Sequence, residues 1–275
     1  MVSPVSEALL NKLRAIVSVP SQTLYVALSG GIDSLTLMTI ASSARSAPTV
    51  AVHAKSSAVP PEATDRCREL CNKYNWSLIE INAGEFDNSQ YLSNPVNRCY
   101  YCKSSLFDSI KAYAAEDHLI ATGTNTDDLG DYRPGLIAAK ERGIWQPYVE
   151  AGIDKAAIRQ LAVISGLGEL SQLPAQPCLS SRVETGIRID VGDLKFIHKV
   201  ESALSQHLGS GDIRCRIVSD GVVAQLPADS DVFESKSQHQ SVTNIVQRYC
   251  TDEGRRFLRF EPYRMGSAFL TDGND

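Results

Sequence analysis

Four groups of residues in this chain have types and spacings that could do chemistry. The first is Ser29-Gly30-Gly31-Ile32-Asp33-Ser34, where an apolar run stops at two glycines and gives way to an acid between hydroxyls. Glycines let the backbone turn tightly and approach a ligand closely. A helix starting there offers unpaired N–H groups and the positive end of its dipole. With Ser29 and Ser34 as further donors, the expected ligand is a phosphate or pyrophosphate. Neither the Gly-Lys-Ser/Thr of the common phosphate loop nor the three glycines of the dinucleotide fingerprint is present. Asp33 is a hard-oxygen partner suited to Mg²⁺. The second group lies in residues 123–135, GTNTDDLGDYRPG, where Asp127, Asp128 and Asp131 crowd against Arg133. Gly123 and Thr124 are expected to touch nucleotide, and Asp128 and its neighbours to hold Mg²⁺ or orient a substrate. Arg133 could fork onto a phosphate or carboxylate.

The third group is cysteine. Two residues separate Cys99 from Cys102, a spacing that points both sulfurs at one metal or makes a redox pair. Cys178 follows two prolines in PAQPCLSSR, where Ser180, Ser181 and Arg182 could stabilise a thiolate. Three thiols from two loops could bind one iron–sulfur cluster and leave one iron without a protein ligand. Cys67 and Cys71, one helical turn apart, are expected to be buried, and Cys215 and Cys250 to be structural. The fourth group is Arg214 and Arg216, which alternate along a predicted strand and so share a face. Each group also has a plain structural reading: a tight turn, a solvated acidic loop, buried thiols, a solvated strand face.

The elements that must position these groups alternate. Residues 23–28, 49–54, 77–81 and 118–123 read as strands, with helices over 34–46, 61–74, 103–115 and 155–165. Such alternation predicts an α/β fold with a parallel sheet and right-handed crossovers, its ligands at the carboxyl ends of the strands. His53 ends the second strand, in a position to contact a nucleotide. Residues 168–186 read as a long loop. A smaller α+β domain follows, giving a division at 1–187 and 188–275. Asp190 is placed to cap its helix, and Asp220-Gly221 to turn a hairpin between strands over 213–219 and 222–226. A helix over 242–249 and a strand over 257–260 complete it.

The chain has 275 residues, 43% of them hydrophobic, and a net charge of −5. No global basic field attracts nucleic acid, and no apolar run reaches the length of a membrane helix. The seven cysteines are too few for a disulfide scaffold of this size. They fit a reducing, cytoplasmic compartment, and no secretory leader is read at the N-terminus.

SGGIDS resembles the PP-loop of ATP pyrophosphatases. Taken in order with NRCYYCK, GTNTDDLGDYRPGL, PCLSSRVETG and the terminal YRMGS, it is similar to LarE, the ATP-dependent sacrificial sulfur transferases of nickel-pincer nucleotide biosynthesis. The resemblance implies that Ser29, Gly30, Gly31, Asp33 and Ser34 bind pyrophosphate, with Asp33 near Mg²⁺. A pyridinium mononucleotide carboxylate is adenylated by ATP, AMP is displaced by sulfur, and a thiocarboxylate results. Sulfur comes either from the PCL cysteine, left as dehydroalanine, or from a sulfide on a 4Fe–4S cluster. Cys99, Cys102 and Cys178 match the three-cysteine cluster pattern. Arg182, Arg214, Arg216, Arg264 and Ser267 are implied to bind substrate, and a homo-oligomer and a sulfur-reloading partner are implied as well. Three competing functions remain. An ammonia-using amide synthase leaves three cysteines idle. Enzymes of tRNA thiolation would want a basic or aromatic RNA surface. A non-catalytic ATP or zinc sensor would not release pyrophosphate.

Overall fold

A computed structural model describes residues 4–114, 116–130, 133–209 and 211–264. Asp131, Tyr132 and Ser267 therefore lie outside the described residues. In chain order the elements are α1 (Pro4–Ser18), β1 (Thr23–Ala27), α2 (Ile32–Ala44), β2 (Thr49–Ala54), α3 (Pro61–Tyr74), β3 (Ser77–Ile81), α4 (Ser89–Leu92) and α5 (Arg98–Tyr113). There follow β4 (His118–Ala121), α6 (Pro134–Glu141), α7 (Pro147–Ala151), α8 (Lys155–Ile164), α9 (Val191–Leu208), β5 (Arg214–Val218), β6 (Gly221–Leu226), α10 (Lys236–Asp252) and β7 (Phe257–Pro262). The chain divides into two compact units, Met1–Asn88 with Asn97–Gln176, and Ser89–Val96 with Pro177–Asp275.

The first unit is α/β, as the alternation of strand and helix predicts. Its four strands are all parallel, in the order β3-β2-β1-β4. Side chains of a strand alternate between faces, and β1 shows the result. Leu24 and Val26 enter a core shared with α1, α2, α3 and α8, while Tyr25 enters another with Phe107, Ile110, Ala138 and Ala139 of α5 and α6. The chain runs outward through β2 and β3 and returns beside β1 as β4. The direction of winding therefore reverses between β1 and β4, the place where open parallel sheets bind ligands.

α5 begins at Arg98, five residues before the apolar stripe announces it. Cys99 and Cys102 thus lie on the first turns of a helix, not in a loop. α1 was not expected from sequence; Leu10, Leu13 and Val17 bury its inner face.

The second unit holds the sheet β5-β6-β7. β5 and β6 form the expected antiparallel hairpin at Asp220-Gly221, and β7 returns parallel to β6 after α10. Asp190 caps α9, its Oδ1 accepting from Gly192 N at 2.6 Å. Residues 89–96 join this unit through Asn94, whose Nδ2 donates to the carbonyls of Val183 and Glu184 at 3.3 and 2.8 Å. No helix among the described residues is long and apolar enough to cross a membrane.

Candidate functional site

The turn after β1 is built by its own hydroxyls. Ser34 Oγ donates to Gly31 O at 3.0 Å and accepts from Ser29 N at 3.1 Å. Ser29 Oγ accepts from Gly31 N at 3.3 Å. Gly31 is the N-cap of α2, and no side chain caps it. The first N–H groups of this helix therefore face the end of the sheet without an intrahelical partner. Gly30 has φ +79°, and a Cβ there would sit 2.7 Å from Ala63 O, so both conformation and space demand glycine. A Cβ at Gly123 would lie 2.9 Å from the Asp33 carbonyl carbon and from Ser34 N. The segment after β4 thus presses on the glycine turn at the reversal of the sheet.

Asp33 points out of this turn. Its Oδ1 accepts from Lys155 Nζ at 2.5 Å. Burial raises its pKa above the usual carboxylate value, and the Lys155 cation works in the opposite direction. Beneath Asp33, Tyr148 donates to its backbone carbonyl at 3.0 Å. Burial also pushes the Tyr148 phenol well up, helped by the Asp33 charge.

Lys155 escaped the sequence reading. It is the first residue of α8, behind the N-cap Asp154, whose side chain accepts from Ala157 N. A cation in a helix's first turn opposes the dipole, and that mismatch was the available signal. The acidic loop places it: Asp127 Oδ2 accepts from Lys155 N at 3.2 Å. Asp128 Oδ2 accepts from Asn125 N at 3.0 Å in a capping box, and Asp128 Oδ1 pairs with Arg133. Thr124 Oγ1 meets Thr122 Oγ1 at 3.0 Å. Asp128 and Arg133 thus shape the acidic loop, and Asp127 joins it to the start of α8, which carries the lysine. Arg66, also unforeseen, donates to Gly30 O at 2.8 Å.

His53 lies under the turn and is 1% exposed. Nδ1 is 2.8 Å from Leu28 O, which can only accept, so Nδ1 carries the proton and Nε2 accepts from Thr64 Oγ1 at 2.9 Å. Burial lowers its pKa and keeps the ring neutral. The ring therefore ties Leu28, just past β1, to Thr64 of α3. Cys67 and Cys71 are buried as expected, their thiols pushed by desolvation up to about 12 and about 11.

In the second unit, Cys178 is partly exposed and precedes a 3₁₀ turn, Leu179–Arg182. Ser180 is buried, its Oγ 2.6 Å from Tyr91 Oη. Arg182 is buried against Glu201, with Nε 2.9 Å from Oε1 and Nη2 3.2 Å from Oε2. Arg214 and Arg216 share a face of β5, as the alternation predicts, and their cross-strand partners are Gln225 and Val223. Arg216 donates to Gln225 Oε1 at 2.6 Å and to Ser181 O at 3.1 Å. Burial lowers its pKa, and the nearby Arg182 adds to the effect. Arg214 donates to Asp212 Oδ1 at 3.0 Å and lies over the Tyr263 ring. Arg264 is exposed. Gln225 and Glu261, joined at 3.3 Å, complete this polar face and were missed because neither stands in a charged run.

No cysteine is in a disulfide. Among the described residues no three His, Cys, Asp or Glu gather into a group able to hold a metal ion. Cys99 and Cys102 belong to the first unit and Cys178 to the second. A 4Fe–4S cluster with one open iron requires three thiols at once. Magnesium makes a smaller demand. It is held by one or two carboxylates plus substrate phosphate and water, and Asp33 at the mouth of the turn fits that role.

Across 226 residues, 82% of the chain and 83% of the relative, 34% of positions match the Synechocystis protein named uncharacterized protein slr1717. This chain belongs to the slr1717 family. Similarity reaches further, to uncharacterized protein MJ0830 of Methanocaldococcus jannaschii, 28% identical over 221 residues, 79% of this chain and 83% of the relative. It also reaches the pyridinium-3,5-bisthiocarboxylic acid mononucleotide synthase of Lactiplantibacillus plantarum, 27% identical over 237 residues, 84% of this chain and 85% of that enzyme. No family model matches the chain. The alignment with slr1717 covers most of both chains and is longer than the parallel-sheet unit alone.

Proposed function

We propose that this protein is an ATP-dependent sulfur transferase that converts carboxylates of a pyridinium biscarboxylate mononucleotide into thiocarboxylates, for a nickel-pincer nucleotide cofactor. The observation that carries the reading is the uncapped N-terminus of α2 at the sheet reversal, with Asp33 and Lys155 at its mouth. Likeness to a synthase whose name specifies the bisthiocarboxylate product supports the substrate class.

The β- and γ-phosphates of ATP would lie against the N–H groups of residues 31–34, where the helix dipole favours negative charge. Asp33 would hold Mg²⁺, which when bound offsets charge on the departing pyrophosphate. Lys155 would then leave Asp33 for the phosphates. A substrate carboxylate oxygen attacks the exposed α-phosphorus and pyrophosphate leaves. The acyl adenylate so formed has AMP as a good leaving group, which a free carboxylate lacks. Cys178 carries the attacking sulfur, and Arg214, Arg216 and Arg264 bind the anionic groups of the nucleotide. If the sulfur is Cys178's own, elimination from its Cβ leaves dehydroalanine and frees the thiocarboxylate. A homo-oligomeric enzyme in the cytoplasm, with a partner that restores sulfur, belongs to the same proposal.

The test is an anaerobic reaction with ATP, Mg²⁺ and the dicarboxylated pyridinium nucleotide, with AMP, pyrophosphate, iron and sulfide all counted. AMP and pyrophosphate in step with thiocarboxylate are expected. Loss of one H₂S from Cys178 in iron-free protein identifies the cysteine as donor, and iron and sulfide bound in stoichiometric amounts identify a cluster. No pyrophosphate with any carboxylated nucleotide overturns the proposal. Activity that needs only ammonia and survives removal of all three cysteines would assign an amide synthase.

A further inference from the structure

The turn bearing Cys178 is gripped by a single side chain. Arg182 is 4% exposed. Its Nη1 donates to the carbonyls of Pro177 at 2.7 Å and Cys178 at 3.2 Å, and to Ser181 Oγ at 3.0 Å. Its Nε and Nη2 engage both oxygens of Glu201. Glu201 stands on α9, and its Oε1 also accepts from Cys215 N of β5 at 2.9 Å. The guanidinium thus joins the peptide on both sides of Cys178's backbone to a helix and a strand. A planar fork can hold two carbonyls and a carboxylate at once, whereas an ammonium cannot reproduce the geometry.

We infer that Arg182 and Glu201 are a positioning pair: they fix the direction in which the Cys178 thiol is presented, and they do not bind substrate. All three guanidinium nitrogens already have partners, and the charge is balanced by the Glu201 carboxylate, whose side chain is 14% exposed. An incoming anion would have to displace Glu201 and leave a largely covered carboxylate without its cation, which is unfavourable. The catalytic consequence rests on the proposed role of Cys178 as sulfur carrier. The structural consequence, control of the thiol's presentation, does not.

Arg182→Lys and Glu201→Gln test this with two independent readouts. The first is the alkylation rate of Cys178 by iodoacetamide, followed by mass on its peptide. Either variant is expected to change that rate at least about fivefold by loosening the turn locally, with the melting temperature little moved. The second is kinetic. KM for the dicarboxylated nucleotide should stay within about twofold of wild type, while sulfur transfer falls about 100-fold from the misplaced thiol. The double variant should be no worse than the poorer single one, because the two residues act as one unit. If Arg182→Lys fails to fold, the nearly isosteric Glu201→Gln still reads the inference. An unchanged alkylation rate would overturn it. So would a tenfold rise in KM with turnover retained, which would make Arg182 a substrate ligand. If wild type transfers no sulfur, the functional proposal fails while the alkylation comparison still judges this pair.

Discussion

Lys155 and Arg182 are both cations beside a loop expected to do chemistry, and they are held in opposite ways. Among the described residues Lys155 Nζ has one partner, Asp33 Oδ1, and the side chain is 32% exposed. Arg182 has three backbone or hydroxyl acceptors and a bidentate carboxylate, and its own side chain is 4% exposed. A cation with one partly exposed partner can exchange it for a ligand at lower cost, because water replaces part of what is lost. A buried cation with a complete set of acceptors cannot, because breaking the set strands a charge in low dielectric. The glycine turn thus leaves helix N–H donors open beside a singly held cation, whereas the acceptors of Arg182 are filled. The cysteine turn is organised to stay as it is.

The contrast is easiest to break at Gly123. A Cβ there collides with the backbone of Asp33 and Ser34, so Gly123→Ala should push the phosphate turn out of register. Pyrophosphate release should drop by about 100-fold or more. A wild-type rate in that assay would mean that the two segments are not fixed against each other. Lys155→Met sharpens the same side. Calorimetry should show magnesium pyrophosphate binding weakened about 100-fold, as when one preorganised charge-stabilising donor is removed, with the fold intact. Equal binding by the variant would reduce Lys155 to a surface partner of Asp33.

His53 gives the smallest effect, on stability alone. Burial holds its folded pKa below the ordinary 6.5. The unfolded chain therefore takes up a proton that the folded one refuses. Its contribution is present above about pH 6.5 and is lost as pH falls through that value towards the folded pKa. His53→Gln should cost about 1 kcal/mol near neutrality. It should also flatten the slope of stability as pH falls below about 6.5. Denaturant melts across that range measure both, and an unaltered slope would mean that the ring is not held neutral.

Much of the fold was legible because its signals are local. Apolar runs at 49–54 and 77–81 became β2 and β3 with unchanged bounds, and Pro61 opens α3 where a first-turn proline belongs. Asp190 and Asp220-Gly221 each formed the cap or turn their chemistry favours. α5 was read as starting at Lys103 because Asn97 gives no side-chain cap and the apolar spacing begins only at Leu106. That five-residue difference moves Cys99 and Cys102 from a loop onto a helix. In the site, the tight turn at Gly30 and Gly31 was readable, since it is written in consecutive residues, and internal hydrogen bonding was one of two readings open for His53. The partners of Lys155 and Arg66 were not readable.

The sequence by itself determined where the chain must turn sharply, which strand faces are apolar, and which residue types could meet phosphate or carry sulfur. Those properties depend on backbone freedom and on side chains within a few positions of one another. Only the tertiary structure decided which charge meets which: Lys155 with Asp33, 122 positions away, and Glu201 with Arg182 and Cys215 N across helix and strand. A side chain's partner depends on distances in space and on desolvation, and neither is written in the order of residues along the chain.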